Sequence, residues 1–377
     1  MQFDRRQWLA NLGVAVGGLS LPYLLGAAQP KPRSEATPEG TGIARLSLNE
    51  NPFGPAPQVL AALERERPNL CRYTGAELDA LVAAISIKEG VPGEQIVLGE
   101  ILQPLGTHLS LRGGAGGEFI YSDPGYTTLI DAAVAVGGRA VAVPLSARLE
   151  NDLAALEARV NDRTRAMYLV NPHNPTGIVA EAAELRSFVR SVARRVLVIV
   201  DEAYLEFADR FAERTLADLV RGGENVIVFR TFAKVYGLAG LEIGYGLVPK
   251  PIAQTLRAQG LSNPHLFNRL AVAAATASVK TQGYVERVAQ QVAAEREHWL
   301  RLFRELELSH TASSANFVFF ETGQPHTAFS AALLQAGVAI GHAFPPYDRW
   351  ARISIGLPQE NTRARSAVRA VLQGSRA

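Results

Sequence analysis

Short apolar runs recur through the first two thirds of the chain, at 96–98, 119–121, 140–143, 166–170, 196–200, 226–229 and 243–248. Turn-forming residues bound each run, and stretches with helical spacing separate them. Ala166-Met167-Tyr168-Leu169-Val170 and Val196-Leu197-Val198-Ile199-Val200 carry no charge at any position. A strand with one wet face alternates apolar and polar residues, whereas runs apolar throughout belong to strands covered on both sides. Strands alternating with helices predict an α/β fold, a doubly wound, mostly parallel sheet with helices on both faces. Beyond it, a long helical stretch free of proline is expected from about 267 to 306, leading to a smaller C-terminal α/β domain. That domain holds the apolar runs 317–320 and 353–355. An extended arm at 46–57 precedes the sheet. The expected division is therefore 46–260 for arm and large domain, and 261–377 for connecting helix and small domain.

Three polar clusters each follow one of these runs. Asn171-Pro172-His173-Asn174-Pro175-Thr176-Gly177 follows 166–170, Asp201-Glu202-Ala203-Tyr204 follows 196–200, and Thr231-Phe232-Ala233-Lys234-Val235-Tyr236-Gly237 follows 226–229. Ligands of open α/β sheets bind beyond the carboxyl ends of the strands, so an Asn, an Asp and a Lys here face one crevice. Asp201 ends an otherwise apolar strand, where an unpaired carboxylate is costly. It reads as the partner of a buried cation or as the N-cap of a following helix. Asn174, set between prolines, reads on its own as a turn residue. Lys234 sits in a segment punctuated by Gly237, Gly240 and Gly244, which suits close approach of backbone to a ligand. Together, a lysine, a buried aspartate and an Asn/Tyr pair are the groups that pyridoxal phosphate needs.

Composition narrows the class. At 377 residues the chain exceeds one ordinary core. A net charge of +2 without a basic stripe gives no case for nucleic acid. The single cysteine, Cys71, excludes an intrachain disulfide framework, and the seven histidines lack metal-ligand spacing, so no metal is expected.

The N-terminus reads differently. Arg5-Arg6 precedes a Gly- and Ala-rich apolar stretch that ends in Gly26-Ala27-Ala28, small residues suited to cleavage before Gln29. This is a twin-arginine signal pattern, expected over residues 1–28, and it implies export to the periplasm by the twin-arginine machinery. Residues 29–45 read as a linker, rich in Pro, Glu and Lys up to Thr41.

From about residue 46 onward the chain resembles the fold-type-I pyridoxal-phosphate aminotransferases, and among them the histidinol-phosphate aminotransferase-like group. The marks are Leu48-Asn49-Glu50-Asn51-Pro52-Phe53-Gly54-Pro55, Arg72-Tyr73, the Asn171–Gly177 stretch, Asp201 with Tyr204, the Lys234 segment and Arg352-Ile353-Ser354-Ile355-Gly356. The resemblance implies pyridoxal 5'-phosphate as cofactor. It makes Lys234 the catalytic residue, bound covalently to the cofactor and later moving a proton at the substrate Cα. It places Asp201 at the pyridine nitrogen, Asn174 and Tyr204 at the ring oxygen, Tyr126 against the ring and Thr231 at the phosphate. Tyr73 is implied to reach the phosphate in a neighbouring subunit, hence a homodimer, and Arg352 and Asn49 to meet the substrate. The implied reaction moves an amino group from an amino donor to a 2-oxo acid.

The pattern departs from the family in one region. An arginine expected eight residues after the lysine is Glu242, the serine expected before the lysine is Ala233, and the phosphate-cradling loop reads Gly99-Glu100-Ile101-Leu102-Gln103-Pro104. Either Glu242 turns away and another cation such as Arg230 substitutes, or the phosphate is held weakly. Residues 339–347, where the resembling enzymes carry an arginine for the substrate phosphate, contain none, and their His342, Phe344 and Tyr347 suit an apolar or aromatic side chain. Rival readings are a decarboxylase or lyase on the same scaffold, and a non-catalytic binding protein with a degraded phosphate cup.

Overall fold

The structure, a computed structural model, describes residues 42–112 and 114–374. The expected signal peptide and most of the linker lie outside the described residues. Those from Ile43 onward form one compact unit. Its strands are β1 (Ala44–Leu46), β2 (Ile96–Leu98), β3 (Glu118–Asp123), β4 (Arg139–Pro144), β5 (Thr164–Val170), β6 (Leu197–Asp201), β7 (Val226–Thr231), β8 (Gly244–Leu247), β9 (Phe317–Glu321), β10 (Val338–Ile340) and β11 (Trp350–Ser354). Ala44 and Arg45, read as the end of the linker, are thus already strand.

Seven strands make the large sheet in the order β2-β8-β7-β6-β5-β3-β4. β3 to β7 are mutually parallel, and β8 runs against both of its neighbours. The two-sided burial expected of the apolar runs is literal. Met167 and Leu169 of β5, Val198 and Val200 of β6, and Val226 and Val228 of β7 belong to one core cluster. Their neighbours Ala166, Tyr168, Leu197, Ile199, Ile227 and Phe229 belong to the other. Period-two geometry sends successive side chains to opposite faces, and helices cover both.

The long helical stretch is two helices, Arg269–Val279 and Gln282–Glu305. The break needs no proline. Thr281 turns its hydroxyl back onto the Ser278 carbonyl at 2.7 Å, and Gly283 follows. A β-branched residue that can bond the preceding turn competes with the helical ladder. The second helix buries Trp299 and Phe303, and Phe303 stacks on Phe320 of β9 at 4.3 Å.

β9 pairs antiparallel with β11, opposing Arg352 to Phe319, while β1 pairs in parallel with β10. The arm after β1 then crosses to the lysine segment, where Asn51 Nδ2 donates to the Val235 carbonyl at 2.7 Å. Gly237 makes that crossing possible. Its φ is 73°, and a Cβ there would lie 2.5 Å from the Gly54 carbonyl carbon.

Candidate active site

The carboxyl ends of β5, β6 and β7, with the start of the reversed β8 and the end of β2, share one rim of the sheet. Asp201 closes β6 in the middle of that rim and is buried. Its Oδ2 accepts from the Tyr168 hydroxyl at 2.8 Å and its Oδ1 from the Ala203 amide at 3.0 Å. No cation pairs with it among the described residues, and burial pushes its pKa up to about 6 against the help of those bonds and of Lys234. A carboxylate held this way lacks a positive partner, and a protonated pyridine is one.

On the β5 side, Asn174 is buried and its Oδ1 accepts from Arg352 Nη1 at 2.6 Å. That bond turns the amide so that its N–H₂ is the end left to donate. Beside it, the Tyr204 hydroxyl accepts from Asn49 Nδ2 at 3.2 Å and keeps its own proton to donate. Asn174 and Tyr204 thus each keep a proton free to donate to a ligand at this rim. Lys234 Nζ stands over the Tyr204 ring, 5.6 Å from its centroid, and within 3.5 Å of the Leu48 carbonyl.

Arg352 comes from β11 of the small sheet. It is 5% exposed, its Nη2 donates to the Ser47 carbonyl at 2.9 Å, and its Nε finds no acceptor. Phe317 and Phe344 flank the guanidinium at 5.6 and 5.0 Å. Burial without an opposing carboxylate presses its pKa down to about 10, so it stays charged at neutral pH. A buried, aromatic-walled guanidinium with spare donors is a binding site for a planar anion.

Asn49, implied to meet the substrate, has its amide engaged within the protein. Its Oδ1 accepts from the Ser354 hydroxyl at 2.9 Å and its Nδ2 donates to Tyr204. With φ at 56° it holds a left-handed turn, fixed further by Asn316 donating to its carbonyl at 2.9 Å. It thus acts on the site through Tyr204. Tyr126, in the loop after β3, is 43% exposed, and its hydroxyl feels the charge of Asp201 and Glu100. Tyr73 stands apart from this group: it is 73% exposed, its ring edge-on to His265 at 4.7 Å.

At the opposite flank of Asp201 the structure corrects one expectation. Arg230 does not replace the missing arginine. It neighbours Thr231 on β7, so the two side chains leave opposite faces of the sheet. Arg230 is 1% exposed, bonded to Glu202 at 2.9 Å, with Glu89 at 3.6 Å and Glu206 at 3.7 Å. The Thr231 hydroxyl faces the rim and donates to Glu100 Oε1 at 2.9 Å. Glu100 and Glu242 line a cavity of about 480 Å³ there, with Gly99, Ile243 and Asn268.

Sequence reasoning missed Tyr168, Ser354 and Ser47 as working parts, and had Glu100 only as a member of the altered phosphate loop, without its bond to Thr231. Tyr168 had a signal, a lone hydroxyl within an apolar strand beside the one ending in Asp201. The others meet their partners across long stretches of chain.

Known proteins share this fold over most of the chain. Residues 41–368 match the family model for aminotransferase class I and II. The histidinol-phosphate aminotransferase of Moorella thermoacetica is 34% identical, the match covering 88% of this chain and 86% of that protein. Histidinol-phosphate aminotransferase 2 of Ralstonia nicotianae is also 34% identical, over 93% of this chain and 94% of that protein. Among solved structures, histidinol-phosphate aminotransferase from Sinorhizobium meliloti in complex with pyridoxal-5'-phosphate superposes with a TM-score of 0.80 at 32% identity, covering 88% of this chain and 92% of that one. The groups around Asp201 fit that cofactor's ring, and the chain belongs to the class I and II aminotransferases, enzymes that use pyridoxal phosphate to transfer amino groups.

Proposed function

We propose that the amino donor is an α-amino acid with an uncharged, apolar or aromatic side chain. The observation that carries this reading is the wall beside Arg352. Phe344 packs against the guanidinium and His342 against Phe344 at 4.3 Å, and residues 339–347 add no lysine or arginine. A carboxylate pairs with Arg352, and the adjoining segment offers aromatic surface to the side chain and no second guanidinium to a phosphate.

Pyridoxal phosphate, when bound, withdraws electrons from the substrate Cα and carries the amino group. The protein does the rest. Asp201, positioned by Tyr168, holds the proton on the pyridine nitrogen. Asn174 and Tyr204 donate to the ring oxygen, and Lys234, beside Tyr204, moves the proton at Cα. Arg352 fixes the carboxylate and, through Asn174, ties substrate position to ring position.

The test is initial rates with 2-oxoglutarate as acceptor and phenylalanine, leucine, aspartate and histidinol phosphate as donors. Phenylalanine or leucine should lead by at least tenfold in kcat/KM. The names of the relatives favour histidinol phosphate instead, and a tenfold lead for that donor would overturn the reading.

Two further elements belong to the proposal. The enzyme works as a homodimer, supported by the exposed Tyr73 lying outside its own chain's site. It is exported by the twin-arginine route to the periplasm, supported by Arg5-Arg6 and the apolar stretch that follows. Light scattering checks the first. Cell fractionation of wild type against Arg5→Lys with Arg6→Lys checks the second, the variant being expected to stay in the cytoplasm.

A further inference from the structure

Strand order places the cofactor's phosphate. Around the pyridine ring, the nitrogen lies opposite the carbon that meets the lysine, and the ring oxygen and phosphate arm leave on opposite sides of that axis. Asp201 on β6 and Lys234 after β7 set the axis. The ring-oxygen donors include Asn174, on the β5 side. The phosphate arm must then point toward β7, β8 and β2, where Thr231, Gly244 and Glu100 meet.

That corner contains a carboxylate already bound to the hydroxyl a phosphate would use. Glu100 Oε1 accepts from Thr231 at 2.9 Å and would sit 3.0 Å from a Cβ on Gly244, so its carboxylate end reaches into the corner while the residue as a whole stays exposed. The charged groups acting on it are Asp201, Glu242 and Lys234, and the nearby Tyr126 feels its charge in turn. The other polar side chains lining the cavity, Gln259, Ser262 and Asn268, are neutral. Arg230 is turned to the opposite face by its three glutamates. The Leu102–Arg112 helix begins two residues after Glu100, and a helix N-terminus favours an anion.

We propose that Glu100 and the cofactor phosphate compete for Thr231, and that phosphate binding is completed by a proton from solvent adding to a Glu100 carboxylate oxygen. Once protonated, Glu100 changes from acceptor to donor, and Thr231 is released to donate to the phosphate. Although Glu100 lies on the open side of the corner, lost hydration and the carboxylates of Asp201 and Glu242 already raise its pKa, which makes the uptake easy. The same charges make cofactor retention weaken as pH rises. This holds whichever amino donor the enzyme uses.

The experiment uses pyridoxine 5'-phosphate, whose alcohol cannot bond covalently to Lys234, against unphosphorylated pyridoxine. Both share the ring, so the titration of Asp201, Lys234 and the pyridine nitrogen cancels in the ratio of their dissociation constants. Between pH 7 and 8.5, where the phosphate is a dianion, the advantage of the phosphorylated ligand to wild type should fall by up to tenfold per pH unit. Calorimetry in two buffers of different ionisation enthalpy should find close to one more proton taken up with pyridoxine 5'-phosphate than with pyridoxine. In Glu100→Gln the advantage should be larger at pH 8.5 and flat with pH, with no such difference in proton uptake. Glu242→Gln, which leaves the Thr231 contact intact, should raise affinity but keep the slope. A flat ratio in wild type, or a slope that survives Glu100→Gln, would overturn the proposal.

Discussion

Arg352 Nη1 donates to Asn174 Oδ1 at 2.6 Å, and this bond joins the substrate clamp on the small sheet to the ring-oxygen donor on the large one. Removing the arginine therefore removes a charge and frees an amide at once. Loss of a bidentate contact to a carboxylate should cost about 2–5 kcal/mol, some 30-fold or more in rate. Arg352→Ala should lower kcat/KM for α-amino acids by at least that factor while the visible absorbance of bound cofactor persists. Amines lacking the carboxylate should lose far less. Equal loss for both would make the residue structural.

Lys234 stands within reach of the Leu48 carbonyl and over the Tyr204 ring, on the loop after β7. Borohydride reduction of the cofactor-loaded enzyme, followed by peptide mapping, should place the label on Lys234. Label on Lys88 or another lysine would refute the assignment.

Asp201 gives a pH-dependent prediction. Its pKa rises from the usual 3.8 to about 6 in the folded, cofactor-free protein. Between those values the folded state binds more protons than the unfolded one, so stability falls as pH rises and stays lowered above about 6. A shift of about two units corresponds to roughly 3 kcal/mol. Cofactor-free Asp201→Asn should thus melt higher than wild type at pH 8, and the gap should close toward pH 4. The same variant should lose transaminase activity, having no charge to hold the proton on the ring. Identical melting at pH 8 would show that the carboxylate is already compensated.

Arg230 neutralises carboxylates on the other face of the sheet. Burial pushes Glu202 up to about 7 even with Arg230 beside it. Arg230→Leu leaves buried carboxylates without their cation and should destabilise the fold by about 3–5 kcal/mol at pH 8. The loss should shrink toward pH 5, where protonation removes those charges. Denaturant unfolding at the two pH values checks both statements.

The central strands were legible because runs buried on both faces stay apolar from end to end, and the edge strand β4, most of it exposed, was legible from its short apolar run between Arg139 and Pro144. Each of the seven appears within two residues of its apolar run. Asp201, Asn174 and Lys234 were legible because a rim residue must follow a strand. The direction of Arg230 was also within reach, since Thr231 and Arg230 are adjacent and cannot share a face. What sequence could not show is which distant groups satisfy one another. Asn49 and Ser354 lie 305 positions apart, and Thr231 and Glu100 lie 131 apart. Such pairs follow from how layers stack, which local patterning does not record. The division of the Arg269–Glu305 stretch escaped because a threonine hydroxyl, rather than a proline, ends the first helix.

The reversed direction of β8 has a consequence for the lysine itself. In a parallel sheet the chain leaves the rim through a helix and returns at the far end, so a rim residue is anchored from one side only. Here the chain leaves β7 at Thr231 and re-enters at Gly244, and these two residues are register partners in adjacent strands. Lys234 therefore rides on a closed loop fastened at both feet, with the arm's Asn51 as a third fastening at Val235. Its amine can swing through its own rotamers between bonding the cofactor and moving a proton, while the backbone beneath it has little freedom to follow.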